Sequence, residues 1–416
     1  MRESDYELGE ELIQLENPKK QKIPYSKRLS WEDMGLQIGD TGSPRPNEHN
    51  AYIVISTHPE LLNMAWYDEF HKKIYRIDGD EKREWADHDD VALARYVQGD
   101  VGLHSMKMTI IRSAFLEYCQ SRKRNEPRAW MESLQWDGEE RLPMFMSDCM
   151  GAGENEYTQA VSQNLWIAMV ARIYRPGCKY DNMIVLIGAQ GTFKSTALSI
   201  IGGEWFAEVC ESVNNKDFFL ALQGKLLIEI SELDSFNRAE TTRIKSVASN
   251  PRDRYRSPYE RATKDHPRSC VFVGTTNEDQ FLRDYTGGRR FWPVKVGHIR
   301  LDLIRENRNQ YFAEAVHKFK TGVTWHNVPA IATEEQEACR ISDEWETLIA
   351  RHVNGHMLDQ VTITEVLFDA CKIDIGRQTK SDQLRAGQIL RPSGWERRQA
   401  RERGVRIWTW FRGREE

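Results

Sequence analysis

The sequence lacks most features that mark a secreted or membrane-spanning protein. Its seven cysteines are scattered, and none belongs to a Cys-x-x-Cys pair, which argues against zinc ribbons and disulfide frameworks. No apolar run approaches the roughly 20 residues that a membrane helix needs. The charged amino-terminal residues contain no apolar signal segment. We therefore expect a reduced, cytoplasmic protein without a membrane partner.

The composition is that of a globular protein, with 40% hydrophobic and 29% charged residues in a chain of 416. This length is sufficient for two or three domains and a sizeable core. The net charge of −5 does not favour nucleic-acid binding over the whole surface, so any basic surface has to be local.

One segment has the context of a phosphate-binding loop. A buried-strand pattern over 183–187 precedes a glycine-bearing turn over 188–195, and a helical pattern follows. A turn that enters a helix points backbone N–H groups and the positive end of the helix dipole at one spot, where an anion binds. The residues predicted to contact ATP are Gly188, Gln190, Gly191, Thr192, Phe193, Lys194, Ser195 and Thr196.

Within this loop, Lys194 is expected to reach the β- and γ-phosphates, and the Ser195 hydroxyl to ligate Mg²⁺. Phe193 is irregular, because the full pattern has glycine immediately before the lysine. A bulky residue there could distort the loop or weaken nucleotide affinity. The alternative is a chance match in a glycine-containing turn.

Three later segments are typical of a site that hydrolyses a nucleotide. An apolar run ends at acids, so Glu229 and Glu232 are candidates to hold the metal and activate water. We expect this strand to neighbour the one before the phosphate loop. A second apolar run ends at Asn277, which could contact the γ-phosphate or the attacking water. The adjacent Arg289 and Arg290 could stabilise charge on a transferring phosphoryl group.

Each of these segments also has a simpler interpretation. The acids could form a solvated turn, the asparagine could occupy a turn, and the arginines could be ordinary surface charges. The occurrence of all four elements in this order is much less expected by chance than any one of them.

A basic segment with interleaved tyrosines lies between the acidic strand and the strand that ends at Asn277. It includes Arg254, Arg256, Lys264 and His266. Basic and aromatic residues together suit the backbone and bases of single-stranded nucleic acid. A charge run is more often a solvated face, but the position of this one between the hydrolysis elements favours nucleic-acid contact.

These residues together resemble the virulence-associated protein E family, ATPases of phages and genomic islands that are similar to superfamily-3 helicases. The resemblance spans residues 134 to about 296 and includes the stretches LQWDGEERL, RIYRPGCKYDNMIVLIGAQGTFKST, LLIEISELD, RDRYRSPYERATKDHPRSCVFVGTTN and DYTGGRRFWPV. It implies an AAA-like P-loop ATPase that assembles as a ring, usually a hexamer. Such a ring translocates on DNA during replication of a mobile element in a bacterial cytoplasm.

The resemblance also implies residue roles. Lys194 and Ser195 match the Walker A positions, Glu229 and Glu232 fall in the Walker B segment, and Asn277 matches the sensor. Either Arg289 or Arg290 matches the arginine finger given to the neighbouring subunit. Lys264 and His266 lie where a hairpin tip would enter the central pore, with Arg254 and Arg256 as competitors. Many relatives carry a primase module, and the first 125 residues leave no room for a complete one, so we expect a separate primase.

The expected fold is α/β, organised in four regions. An AAA-like P-loop core is flanked by an amino-terminal α+β and helical region and by a carboxyl-terminal winged-helix-like domain. Within the first region, residues 53–55 suggest a strand, Pro59 suggests a helix start, and Trp66, Tyr67, Phe70 and Ile74 repeat at helical spacing. The expected regions are 1–125 (mixed), 126–180 (helical, with one helix over Glu156–Tyr174), 181–330 (P-loop core) and 341–416 (winged-helix-like).

The carboxyl-terminal region combines capped helices with a hairpin. Thr362 and Thr379 are expected to cap two helices, and Leu384, Ile389 and Leu390 to form the apolar side of the second. Two strand-like stretches follow, and residues 377–416 contain 11 Lys and Arg against 5 Asp and Glu. This local basic excess favours a duplex- or origin-binding domain, and the alternative is a basic packing domain.

The sequence thus predicts an ATP-dependent DNA helicase of a phage or mobile element. One alternative is a P-loop ATPase in defence or interference that does not unwind DNA. Another is a DNA-binding replication initiator whose ATPase is weak because of Phe193.

Overall fold

The computed structural model describes residues 31, 33–209, 216–233, 238–255, 263–282, 288–341, 343–402 and 405–413. Arg256 lies outside these residues, as do residues 1–30. The chain divides into two compact units. The first comprises residues 1–69 and 73–124, and the second comprises residues 70–72 and 125–416. No helix among the described residues combines the length and apolar character needed to cross a membrane.

The first unit packs helices against a four-stranded sheet of order β3-β2-β1-β4. Its α-helices and strands are α1 (Glu48–Thr57), β1 (Ala65–Asp68), β2 (Lys73–Asp78), β3 (Glu81–Glu84), α2 (Asp87–Arg95), α3 (Met108–Ser121) and β4 (Lys123–Arg124).

Several local predictions for this unit were wrong. Residues 53–55 belong to α1, because Ala51, Val54 and Ile55 are fully buried at helical spacing and this packing overrides their β-propensity. The segment after Pro59 forms turns, and Trp66 lies in a strand. The first turn of α2 is acidic, with Asp87, Asp89 and Asp90.

The second unit contains the remaining elements. They are α4 (Glu126–Ser133), α5 (Phe145–Asp148), α6 (Glu156–Tyr174), β5 (Met183–Ile187), α7 (Lys194–Gly202), β6 (Phe206–Val209), α8 (Lys216–Ala221), β7 (Leu227–Ile230), α9 (Arg238–Ser249), β8 (Arg252–Tyr255), β9 (Lys264–Pro267), β10 (Val271–Thr276), β11 (Phe291–Lys295), α10 (Leu301–Lys320), α11 (Ala332–Ala338), α12 (Glu344–Gly355), β12 (Gln360–Val361), α13 (Ile363–Glu365), α14 (Lys380–Leu390), β13 (Trp395–Glu402) and β14 (Val405–Arg412).

A five-stranded parallel sheet of order β11-β5-β10-β7-β6 organises this unit. All residues of β5 are buried, because both faces of the sheet are covered. Ile184 and Leu186 pack in one core with α6 and α10, whereas Val185 packs in a second core on the other face. The acidic strand β7 was expected beside β5, and that expectation was wrong because β10 lies between them.

The predicted helix over Glu156–Tyr174 is confirmed as α6. Asn155 caps it by accepting a hydrogen bond from the Thr158 N–H. Most of its side chains are buried, including the fully buried Trp166. Residues 333–336 belong to α11.

The basic segment forms a two-stranded antiparallel hairpin of β8 and β9, followed directly by β10. Its base is anchored by the buried Arg268, which donates hydrogen bonds to both carboxylate oxygens of Asp253 and to the Val247 carbonyl. A buried ion pair therefore joins β8 to the segment that leads into β10.

The carboxyl-terminal part runs α12, β12, α13, α14, β13, β14, with an antiparallel sheet of order β12-β14-β13. Thr362 and Thr379 cap α13 and α14 as expected. Ile389 and Leu390 are buried, but Leu384 is 60% exposed, so its assignment to the apolar side was wrong. The buried Ala386 is the inward-facing residue on that turn of α14.

Candidate nucleotide site

The loop between β5 and α7 accommodates Phe193 in a left-handed backbone conformation. Gly191 has a φ of 81° and Phe193 a φ of 64°, so both occupy the left-handed region that glycine tolerates best. The Phe193 side chain is 59% exposed and does not fill the loop. For a residue other than glycine this conformation costs roughly 1–2 kcal/mol.

Lys194 is the first residue of α7 and is buried. Its Nζ donates to the carbonyls of Gly188 at 2.6 Å and Ala189 at 3.0 Å, and to Oδ1 of Asn277 at 3.1 Å. Asn277 immediately follows β10, whose last residue pairs with Ile187 at the end of β5. The phosphate-loop lysine and the Asn-tipped strand therefore meet at one edge of the sheet.

Glu229 is the acid that the fold brings to this loop. It is fully buried, and its Oε1 accepts hydrogen bonds from the hydroxyls of Ser195 and Thr275, each at 2.7 Å. Its Oε2 is buried and has no hydrogen-bond partner among the described residues. Burial raises the pKa of Glu229, although the hydrogen bonds from Thr275 and Ser195 oppose this shift.

These groups fit Mg²⁺, which prefers hard oxygen ligands and usually uses one or two carboxylates. Ser195 offers a hydroxyl beside the buried carboxylate, and the unpaired Oε2 of Glu229 is an oxygen that a cation would satisfy. Both residues are therefore suited to hold Mg²⁺ that accompanies a nucleotide.

Glu232 has a different environment from Glu229. It lies two residues beyond β7, is exposed, and has a left-handed φ of 53°. The sequence did not distinguish these two acids. In the structure, Glu229 is buried and contacts α7, whereas Glu232 is exposed beyond the end of β7.

Two neighbours of Glu229 were missed from the sequence. Thr275 lies one residue before the end of β10, so the polar end of that strand was a usable signal. Glu208 on β6 is paired in register with Glu229, and its charge contributes to raising the pKa of Glu229. No local signal identifies Glu208, because only the strand order brings β6 beside β7.

The arginine pair lies at the opposite edge of the sheet from the phosphate loop. Arg289 and Arg290 directly precede β11, whose first residue, Phe291, pairs with Met183 at the start of β5. Gly188 follows the other end of β5, about 17 Å away at strand spacing. Arg289 is exposed, and Arg290 donates to the Lys245 carbonyl at 3.2 Å. The pair is therefore not brought to the loop of its own chain.

The described hairpin residues differ in exposure. Arg254 is largely exposed and lies 3.8 Å from Asp265, also an exposed side chain. Lys264 is exposed at the start of β9, whereas His266 is half-buried and stacks on Tyr255 with ring centroids 4.2 Å apart. The register places the tip beyond Tyr255 and Lys264, where residues 256–262 lie outside the described part.

The parallel sheet, the loop between β5 and α7 and the buried acid on β7 define a mixed α/β protein with a P-loop-like core. The model of the virulence-associated protein E-like domain matches residues 131–344, slightly more than half of the chain. The chain belongs to this family, as the resemblance of its motifs predicted.

Solved structures give weaker likenesses. An apo structure of the NrS-1 C-terminal region is 12% identical, with 84% of this chain and 96% of that chain covered and a TM-score of 0.45. Its A form has 11% identity, 89% and 100% coverage, and a TM-score of 0.47. A RuvB mutant from Thermotoga maritima is 14% identical, with 62% and 92% coverage and a TM-score of 0.24. No curated protein matches the chain.

Proposed function

We propose that this protein is an ATP-dependent DNA helicase of a phage or mobile element, working as a ring in the bacterial cytoplasm. The observation that carries the proposal is the meeting of Lys194, Ser195, Glu229 and Asn277 around one loop, through hydrogen bonds of 2.7–3.1 Å. These side chains come from β7, the end of β10 and the start of α7, as a nucleotide-hydrolysing site requires.

In this proposal the loop backbone and Lys194 bind the phosphates of ATP. Ser195 and Glu229 hold Mg²⁺, which supplies charge neutralisation on the phosphates when bound. Asn277 contacts the γ-phosphate and keeps Lys194 oriented. Glu232 is the candidate to accept the proton of the attacking water, because Glu229 is already committed to the Ser195 and Thr275 hydroxyls.

The arginine finger is proposed to act between subunits. Arg289 and Arg290 are about 17 Å along the sheet from the loop of their own chain, beyond the reach of an arginine side chain. A ring of identical subunits presents this edge of one copy to the nucleotide of the next. We propose a homo-hexamer on the family resemblance.

DNA contact is proposed at two places. The hairpin of β8 and β9 carries Arg254 and Lys264 towards its tip, and we propose that it contacts single-stranded DNA in the ring, with Arg256 and His266 as further candidates. The order of α12, β12, α13, α14, β13 and β14 supports a winged-helix-like domain. Priming is assigned to a separate protein.

A second candidate is a replication initiator with weak ATPase. The left-handed backbone at Phe193 favours it, since the residue occupies a position where glycine is normally required. Tight duplex binding with little hydrolysis would support this candidate over the helicase.

The test measures ATP hydrolysis and strand displacement with and without single-stranded DNA. Lys194→Ala should lower turnover by at least about 100-fold, since it removes a preorganised cation at the phosphates. Lys320→Ala, at an exposed lysine of α10, is the matched control and should retain activity. Turnover that persists in the Lys194 variant contradicts the site, and ATPase indifferent to DNA contradicts the helicase.

A further inference from the structure

The ribbon of β13 and β14 has two chemically different faces. Residues directly opposite each other on antiparallel strands share a face, and successive residues alternate. Arg401 pairs with Arg406, Gln399 with Trp408, and Arg397 lies two residues from Gln399 on its own strand. Arg397, Arg401, Arg406 and Trp408 therefore lie together on one face, called the arginine face below.

The cations of the arginine face are exposed and not neutralised by acids within the described part of the chain. Arg397, Arg401 and Arg406 are exposed, and none of them has an ion pair with a described acid. Arg398 on the opposite face is also exposed but forms an ion pair with Glu396. Arginines on both faces are thus exposed, but only Arg398, on the opposite face, has its charge compensated by an ion pair.

Trp408 stabilises the position of one of these cations. It is 51% exposed, and the guanidinium of Arg397 lies 4.4 Å from its ring centroid. A guanidinium over an exposed indole is held in place by a cation–π interaction. One side of this ring is therefore covered by a cation instead of being open to a stacked base.

The base of the arginine face packs against α14. Trp410, opposite Arg397, is buried, and a Cβ built at Gly387 of α14 would lie 3.1 Å from its ring. The exposed arginines therefore lie along a ribbon of eight residues per strand, about 26 Å long, whose base is packed.

We propose that the arginine face binds double-stranded DNA through its phosphates. A ribbon that carries three uncompensated cations on one face suits the high charge density of duplex DNA. Single strands are usually bound by several open aromatic rings, and the one exposed tryptophan of this face, Trp408, is already in contact with Arg397. The inference deepens the proposed function by naming a duplex partner, and it does not depend on ATP hydrolysis.

The experiment measures binding of the full chain to a labelled duplex of about 20 base pairs and to the matching single strand, by fluorescence anisotropy at several salt concentrations. The double variant Arg401→Ala/Arg406→Ala should bind the duplex at least about tenfold more weakly. The slope of log K against log salt should fall by about 2, since each lost phosphate contact contributes about 0.9. Single-strand affinity should stay within about twofold, because the face is assigned to duplex.

Arg398→Ala is the matched control, because it removes an exposed arginine from the same strand but from the compensated face. It should retain duplex affinity within about twofold. Duplex affinity that is unchanged in the double variant, an equal loss in Arg398→Ala, or an equal loss for single strands would each overturn the proposal.

Two further variants keep the test decisive if the double alanine variant folds poorly. Arg401→Lys/Arg406→Lys retains both charges and should bind the duplex nearly as the original chain does. The single variant Arg406→Gln should lower the salt slope by about 1. Lys194→Ala should keep full duplex affinity, so failure of the ATPase assignment is distinguishable from failure of this one.

Discussion

At the scale of single residues, Glu229 is the clearest case of a side chain whose environment favours ligand binding at a cost in folding stability. Its carboxylate is fully buried, one oxygen accepts two hydroxyl hydrogen bonds, and the other has no partner among the described residues. An unpaired buried oxygen is unfavourable unless a ligand satisfies it. The residue is therefore suited to hold a cation, and without the cation it lowers the stability of the folded protein.

Glu229→Gln should abolish hydrolysis while leaving ATP binding measurable, because the amide can still accept from Ser195 but carries no charge for Mg²⁺. We expect turnover to fall at least about 100-fold. The measurement is steady-state ATPase alongside binding of a fluorescent nucleotide. Hydrolysis within tenfold of the original chain would show that the metal carboxylate lies elsewhere.

The same substitution predicts a pH dependence of stability. Burial raises the pKa of Glu229, so the folded state holds this proton more tightly than the unfolded state. The stability that this group contributes is present below pH 4.5, its ordinary pKa, and is lost as the pH rises through the raised pKa. Without nucleotide, the melting temperature of the Glu229→Gln variant should therefore rise relative to that of the original chain as the pH rises. A constant difference across this range would contradict the burial argument.

Replacing Phe193 with glycine should stabilise the phosphate loop. Its left-handed backbone is unfavourable for any residue with a Cβ, and its exposed ring contributes little packing. Phe193→Gly should therefore be more stable than Phe193→Ala by about 1 kcal/mol in urea unfolding, since only glycine relieves the strain. Equal stability of the two variants would mean that the loop relaxes without glycine.

At the scale of elements, the hairpin and β10 form one connected unit. Arg268 anchors β8 through Asp253, and β10 begins three residues after Arg268 and ends beside Asn277. A change in the nucleotide contact at one end of β10 thus has a direct structural route to the hairpin base at the other end. This route is carried by a buried ion pair and a strand within a packed sheet.

Asp253→Asn should destabilise the protein by about 3 kcal/mol, because it leaves the Arg268 guanidinium buried without its counter-charge. Arg254→Ala, which removes an exposed pair with Asp265 one position along, is the control and should change stability by less than about 0.5 kcal/mol. Thermal and urea unfolding measure both. Similar small effects would show that the hairpin base is not held by this pair.

At the scale of the whole molecule, the nucleotide site is incomplete within one chain under the proposed mechanism. The phosphate loop lies at the carboxyl edge of the sheet, and Arg289 and Arg290 lie at its amino edge. Under this proposal a single subunit would bind ATP but would not supply its own finger. Assembly is the step that would bring the two edges together.

Mixing two inactive variants tests this arrangement. Lys194→Ala lacks a working loop and Arg289→Ala/Arg290→Ala lacks both candidate fingers, so each alone should hydrolyse little ATP. In an equal mixture, about one quarter of the interfaces in a cyclic ring would combine an intact loop with an intact finger. Activity should return to roughly that fraction of the original. No recovery, despite exchange of subunits seen by mass measurement, would place the finger within the chain.

Local signals in the sequence were sufficient for features that depend on neighbouring residues. The limits of α6, the caps at Thr362 and Thr379 and the strand–loop–helix around Lys194 all follow from short-range hydrogen bonding and hydrophobic periodicity. The sequence motifs also identified the family to which the chain belongs.

Tertiary packing decided the features that depend on distant residues. It placed residues 53–55 in a helix, exposed Leu384, inserted β10 between β5 and β7, and set Glu208 beside Glu229. Strand order and side-chain burial depend on the free energy of the whole core, to which segments far apart in the chain contribute. The chemistry of each side chain could therefore be predicted from the sequence, whereas strand order and side-chain burial could not.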